Sequence, residues 1–188
     1  MPPSRKPKGK PTWSDVKAKL ADFDRAKLLS VIADLYSASR DNQVFLHARF
    51  AVGEDPLQHY KDAISRWIYP DVYERKGQVV SIAKAKKAIS DYRKAVGKPE
   101  GLVELMTFYC EQASKFSADM GMDDEVFHNA MIVTFEYALK NVVGLDAAAR
   151  PPFLTRLEAV RVRCRAFGYC VGDSMDDLWQ RWADPAGT

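Results

Sequence analysis

An all-α fold follows from three observations. Apolar residues recur at three- and four-residue spacing along almost the whole chain. Helix-opening Thr, Ser, Asp and Pro alternate with helix-closing Gly. No run of alternating β-branched residues is bounded by turn signals. With 188 residues, 47% of them apolar and 28% charged, the chain has enough material for one core. The expectation is a single-domain helical bundle or a short α-α superhelix of seven to nine helices, packed as antiparallel hairpins. No self-similarity names a repeat family.

Each element has its own justification. Thr12 with Asp15 forms a capping-box pattern that opens a short helix through Val16 and Leu20. Asp24 can cap a second helix, whose stripe of Leu28, Leu29, Ile32, Leu35 and Tyr36 reads as buried. A third runs through Val44, Phe45, Ala48 and Phe50 to Gly53. Asp55 and Pro56 suit N-cap and N1 of a fourth, carrying Leu57, Tyr60, Ile64, Trp67 and Ile68 up to Pro70. Residues 71 to 80 give no clear pattern, and Gln78 to Val80 could be extended. Ser81 can cap a helix with Ile82, Ala85, Ile89, Tyr92 and Val96 inward, closed by Gly97. Pro99 and Glu100 restart the chain into Leu102, Leu105, Met106, Tyr109, Ala113 and Phe116, ending at Gly121. After Asp123 or Asp124, residues 126 to 143 are apolar on most faces and read as the central, most enclosed helix. Residues 153 to 166 and Asp173 to Trp182 form the last two, with Gly168 and Gly172 between them.

The termini differ in character. Arg5, Lys6, Lys8 and Lys10 lie among Pro and Gly, so residues 1–11 read as a disordered basic arm. The all-helical domain then spans 12–183, and 184–188 read as a flexible tail. No apolar stretch approaches the roughly 20 residues of a membrane span, and the start lacks a signal-peptide apolar region. Three cysteines, an odd number, fit a reducing compartment. These features predict a cytoplasmic protein with no membrane partner.

Net charge is only +3, so distribution matters more than total. On the helix after Ser81, Lys84, Lys87 and Lys94 share one stripe and Lys86 and Arg93 a neighbouring one, both away from the apolar stripe. Five cations facing solvent together could contact phosphates, with Arg75, Lys76 and the N-terminal arm adding salt-dependent attraction. Solvation of an exposed helix face is the structural alternative. A third cationic segment holds Arg150, Arg156, Arg161, Arg163 and Arg165. Acidic residues gather at Asp123, Asp124 and Glu125 and at Asp173, Asp176 and Asp177.

Catalytic signals are few. Glu125 and His128 have the Glu-x-x-His spacing of di-iron bundles, but a second such pair is missing. Cys164 and Cys170 lack zinc-site partners, and Cys110 lies in an apolar stripe. Phosphate loops, nucleophile elbows and His-Glu-x-x-His are absent from the sequence, so no cofactor is expected. Around Phe167 to Asp173, two glycines bracket an aromatic. Tyr169 and Asp173 could rim a pocket with Asp123, Asp124 and Glu125, or Tyr169 could plug a tight corner between helices.

Three stretches, Lys84-Ala-Lys-Lys-Ala-Ile-Ser-Asp-Tyr92, Gly121-Met-Asp-Asp-Glu-Val-Phe127, and Phe167-Gly-Tyr169 with Asp176-Asp177-Leu178, resemble a bacterial family of small helical proteins known as a domain of unknown function. The similarity covers roughly residues 24 to 180, and the lysine-rich helix is its most specific part. It implies a cytosolic helical domain and no catalytic residues. Where the family carries a Trp or Tyr-Gly motif near the end, this chain reads Gly168-Tyr169-Cys170, which weakens a pocket there.

The leading expectation is a non-catalytic interaction module. It binds a protein or nucleic-acid partner through Lys84, Lys86, Lys87, Arg93 and Lys94. The alternative is an enzyme or metal-dependent small-molecule binder with an acidic cleft of Asp123, Asp124, Glu125, Tyr169 and Asp173. Homo-oligomerisation through exposed Trp67, Trp179 or Trp182 is a third expectation.

Overall fold

The computed structural model describes residues 10–53, 55–70 and 79–183, and the fold is all-α. Most of the basic arm, the 184–188 tail, and Arg75 and Lys76 within 71–78 lie outside the described residues. Among those described there are nine α-helices, one 3-10 turn at Ala147–Ala149 and no strand. The helices are α1 (Trp13–Leu20), α2 (Arg25–Ala38), α3 (Arg40–Phe50), α4 (Gln58–Ile68), α5 (Ile82–Ala95), α6 (Pro99–Met120), α7 (Glu125–Val143), α8 (Pro151–Cys164) and α9 (Val171–Trp182). No helix among the described residues is long and apolar enough to cross a membrane. Where the sequence reads one domain over 12–183, the chain divides into two units, 1–44 and 45–188, the boundary falling inside α3.

In the first unit, Asp15 accepts hydrogen bonds from the Thr12 amide at 2.7 Å and hydroxyl at 2.8 Å, which fixes the start of α1. Asp24 accepts from the Lys27 amide at 2.8 Å and opens α2. The α2 stripe departs from expectation. Leu28, Leu29, Ile32, Leu35 and Tyr36 are exposed, and neither α1 nor α2 buries a residue. Periodicity reports that a helix has an apolar side, and is silent about what covers it.

The second unit is a bundle built around α6. Its 22 residues begin with Pro99, whose missing amide costs nothing at a helix start, and end at Gly121 in the left-handed conformation. α6 packs against α4, α5, α7 and α8. It is therefore α6, and not α7, that occupies the centre. α7 buries Phe127, Met131, Phe135, Ala138, Leu139 and Val142, yet leaves Val126, Val133 and Tyr137 exposed. Asp124 caps α7 by accepting from the Phe127 amide at 2.6 Å. Asp55 and Pro56 fall in a turn ahead of α4, where Asp55 accepts from the Leu57 amide at 2.8 Å.

Two glycines set helix spacing. A Cβ on Gly101 would stand 2.0 Å from the Tyr92 hydroxyl, so α5 and α6 approach as closely as they do only because that carbon is missing. At Gly172 a Cβ would lie 2.8 Å from the Arg165 Cα, which brings α9 against the end of α8. The left-handed backbone in this corner falls on Tyr169 (φ 57°) and Cys170 (φ 53°) rather than on the glycines beside them. α9 starts at Val171, two residues before the Asp173 start that the spacing predicts, so Asp173 lies in its first turn.

The arginines of the third cationic segment are structural. Arg156 bonds Glu111 through Nε at 2.8 Å and Nη2 at 2.7 Å, and also bonds Glu104, to which Lys61 adds an ion pair at 2.9 Å. This half-buried network ties α4 and α8 to α6. Arg161 and Arg165 both pair with Asp176 on α9, at 2.6 and 3.2 Å. Arg163 donates to the Ser114 hydroxyl at 2.9 Å, and Arg150 to the Leu145 carbonyl at 2.8 Å.

Candidate functional site: a cation-flanked groove on helices α5, α6 and α7

The inward stripe of α5 is as the spacing demands: Ala85, Ala88, Ile89, Tyr92 and Ala95 are buried. The five cations beside it do not form one uniform face. Lys84 is exposed, with its ammonium 3.8 Å from the centre of the Trp67 ring. Lys87 pairs with Asp91 at 2.5 Å, one helical turn along. Lys86 is half-buried, and burial lowers its pKa from the ordinary lysine value. Arg93 and Lys94 are exposed, and neither forms an ion pair among the described residues.

Lys86 and Arg93 share a feature that their three neighbours lack. Both line an open groove of about 390 Å³ between α5, α6 and α7. Ile89 forms its base beside Leu102 and Met106 of α6. The far wall is Val133, Thr134, Tyr137 and Asn141 of α7. That wall is held in place: the Thr134 hydroxyl donates to the Ala130 carbonyl at 2.8 Å, and the Asn141 amide to the Tyr137 carbonyl at 2.7 Å. Val133 and Tyr137 remain about half exposed, at 44% and 55%. Among the described residues the lining has two cationic side chains and no carboxylate. Chemically, this is an apolar trough with positive charge along one lip.

The α6 and α7 side of this groove is absent from the sequence reading. The expected separation of Lys86 and Arg93 from the apolar stripe fails at Ile89, which stands at i+3 from Lys86 and i−4 from Arg93 and lines the groove beside both. Which helix stands opposite is a long-range fact with no local signal.

The acidic candidates do not converge on a cation. Asp123, Asp124, Glu125, Tyr169 and Asp173 are all exposed. Asp124 is occupied as the α7 cap, and among the described residues no three His, Cys, Asp or Glu come together as metal ligands. Asp123 lies against Gly168, 3.6 Å from where its Cβ would be, and so beside the residue preceding Tyr169. The centre of this corner is His128, which is fully buried. Its ring stacks on Phe167 at 5.6 Å, lies 6.0 Å from Tyr169, and places Nε2 3.3 Å from the Ser117 hydroxyl. Burial lowers the His128 pKa, outweighing Asp123 and Asp124, which favour the cation. Tyr169, itself about half exposed, thus lies against a buried histidine.

The three tryptophans expected at an oligomer surface are all partly covered. Lys84 lies over Trp67, Arg161 over Trp179 at 5.1 Å, and Lys140 over Trp182 at 5.1 Å. The exposed tryptophan is Trp13. Cys110 and Cys164 are buried, Cys170 is exposed, and all three are free thiols.

No protein-family model, no curated protein and no solved structure matches the chain.

Proposed function

We propose that the chain is a non-catalytic interaction module whose groove between α5, α6 and α7 receives an acidic segment of a partner protein. The observation that carries this reading is the lining itself: Ile89, Leu102, Met106 and Val133 offer an apolar seat, while Lys86 and Arg93 are its only charged members among the described residues. An amphipathic partner segment would bury an apolar anchor there and set a carboxylate against the two cations. Nucleic acid is the weaker occupant. Phosphate binding draws on a row of available cations, and here Lys87 is engaged by Asp91 and Lys84 by Trp67. The free thiols support a reducing, cytoplasmic setting for this role. The three motifs support placing the chain beside the helical family of unknown function that they resemble.

Selection of a random peptide library on the full-length chain tests the proposal. The library is counter-selected on Val133→Arg, which blocks an exposed position of the groove and should leave the fold intact. Expected are peptides rich in Asp or Glu with one large apolar residue, binding wild type and not the variant. Basic peptides, peptides that bind both proteins equally, or no peptides beside a salt-steep shift with DNA or RNA would contradict it.

A further inference from the structure

The first unit holds a surface that the groove does not explain. Eight large apolar side chains between Trp13 and Tyr36 are exposed. On α2 the positions 28, 29, 32, 35 and 36 fall on one stripe, and on α1 Trp13 and Val16 fall on another. Helices of 8 and 14 residues that bury nothing are marginal in water, so their order calls for a packing partner.

We infer that this face pairs with the same face of a second copy of the chain, bringing two α1–α2 segments together about a two-fold axis. Size is the first argument. From their fractional exposures, the five side chains of the α2 stripe alone present on the order of 500 Å², over half of what one partner contributes to a standard stable interface. Charge is the second. From Thr12 to Ala38 the segment carries Lys17, Lys19, Arg25 and Lys27 against Asp15, Asp22, Asp24 and Asp34, four of each sign. A net-neutral segment brings no like-charge repulsion between two copies, as an isologous contact requires, and gives no attraction to a partner of one strong sign. On the polar side of α2, Lys27 and Asp34 stand seven residues apart and leave the stripe uninterrupted.

Sedimentation equilibrium on the full-length protein over a range of concentrations tests this. Wild type should give a discrete dimer that dissociates on dilution. Leu29→Glu combined with Leu35→Glu should be monomeric at every concentration, with its main thermal transition retained because neither residue is buried. Val133→Glu, on the groove and off this face, should remain dimeric. A monomeric wild type, a dimer that survives the double substitution, or a dimer lost in Val133→Glu would each overturn the inference. The milder Ile32→Ala weakens dimerisation several-fold if the face is right, and leaves it unchanged if the contact lies elsewhere.

Discussion

A single methyl group is enough to push α5 away from α6. Gly101→Ala places a carbon 2.0 Å from the Tyr92 hydroxyl and 2.5 Å from the ring carbon bearing it, and Tyr92 is itself buried. The expected loss is about 1–3 kcal/mol, measured by urea denaturation. Tyr92→Phe in the same chain should recover part of that loss, because it removes the nearest clashing atom. Equal losses with and without Tyr92→Phe would mean that the clash is relieved elsewhere. The second residue-scale prediction concerns Cys170. An L-residue at φ 53° pays roughly 1 kcal/mol that glycine does not, and Cys170 is exposed, so Cys170→Gly should raise the melting temperature slightly. A lower melting temperature would show that the side chain contributes packing at the start of α9.

Between elements, the fold is held by apolar packing on α6 together with half-buried ion pairs radiating from it. Arg156 grips two carboxylates of α6 with a planar fork that lysine cannot reproduce. Arg156→Lys should therefore destabilise by about 1–2 kcal/mol, with the partial exposure of the pair keeping the figure below that of a fully buried one. Acid sensitivity follows from the same contacts. Burial acts to raise the Glu104 pKa, but hydrogen bonds from Arg156 and Lys61 more than offset it and leave it below the ordinary glutamate value. Asp176 is likewise lowered by Arg165 and Arg161 against the effect of burial. A depressed folded-state pKa means that the unfolded chain binds the proton first, so this stability is present above the ordinary carboxylate range and is lost as pH falls through it. His128 adds an earlier step. Its folded pKa lies below 6.5, so its contribution is complete above that value and declines as pH drops beneath it. Melting temperature against pH should thus begin to fall below about 6.5 in the wild type, and His128→Gln should flatten that first decline while keeping the carboxylate one. An unchanged profile in His128→Gln would assign the early decline to another group.

What was legible in the sequence divides along the same line between local and long-range. Asp24, Asp124 and Gly121 mark helix ends through bonds to near neighbours and Pro99 through its fixed backbone angle, and those ends stand where the spacing puts them. The centrality of α6 over α7, the engagement of the α8 arginines and the position of His128 beneath Phe167 depend on residues tens of positions apart. His128 was visible only as half of a metal motif, although it precedes Met131 and Phe135 by three and seven residues on one buried stripe. Tyr169 and Cys170 carry the left-handed turn that the adjacent glycines suggested for themselves.

For the whole molecule, a net charge of +3 gives little general attraction to polyanions, so position must decide what binds. Arg93 and Lys94 are adjacent, exposed and of equal charge, but only Arg93 lines the groove. Comparing Arg93→Glu with Lys94→Glu, by affinity for a peptide selected on the wild-type chain, therefore separates a groove from a generally basic face. The account predicts that Arg93→Glu weakens binding about tenfold or more, while Lys94→Glu stays within about twofold of wild type. Equal losses from the two substitutions, or the greater loss from Lys94→Glu, would contradict it.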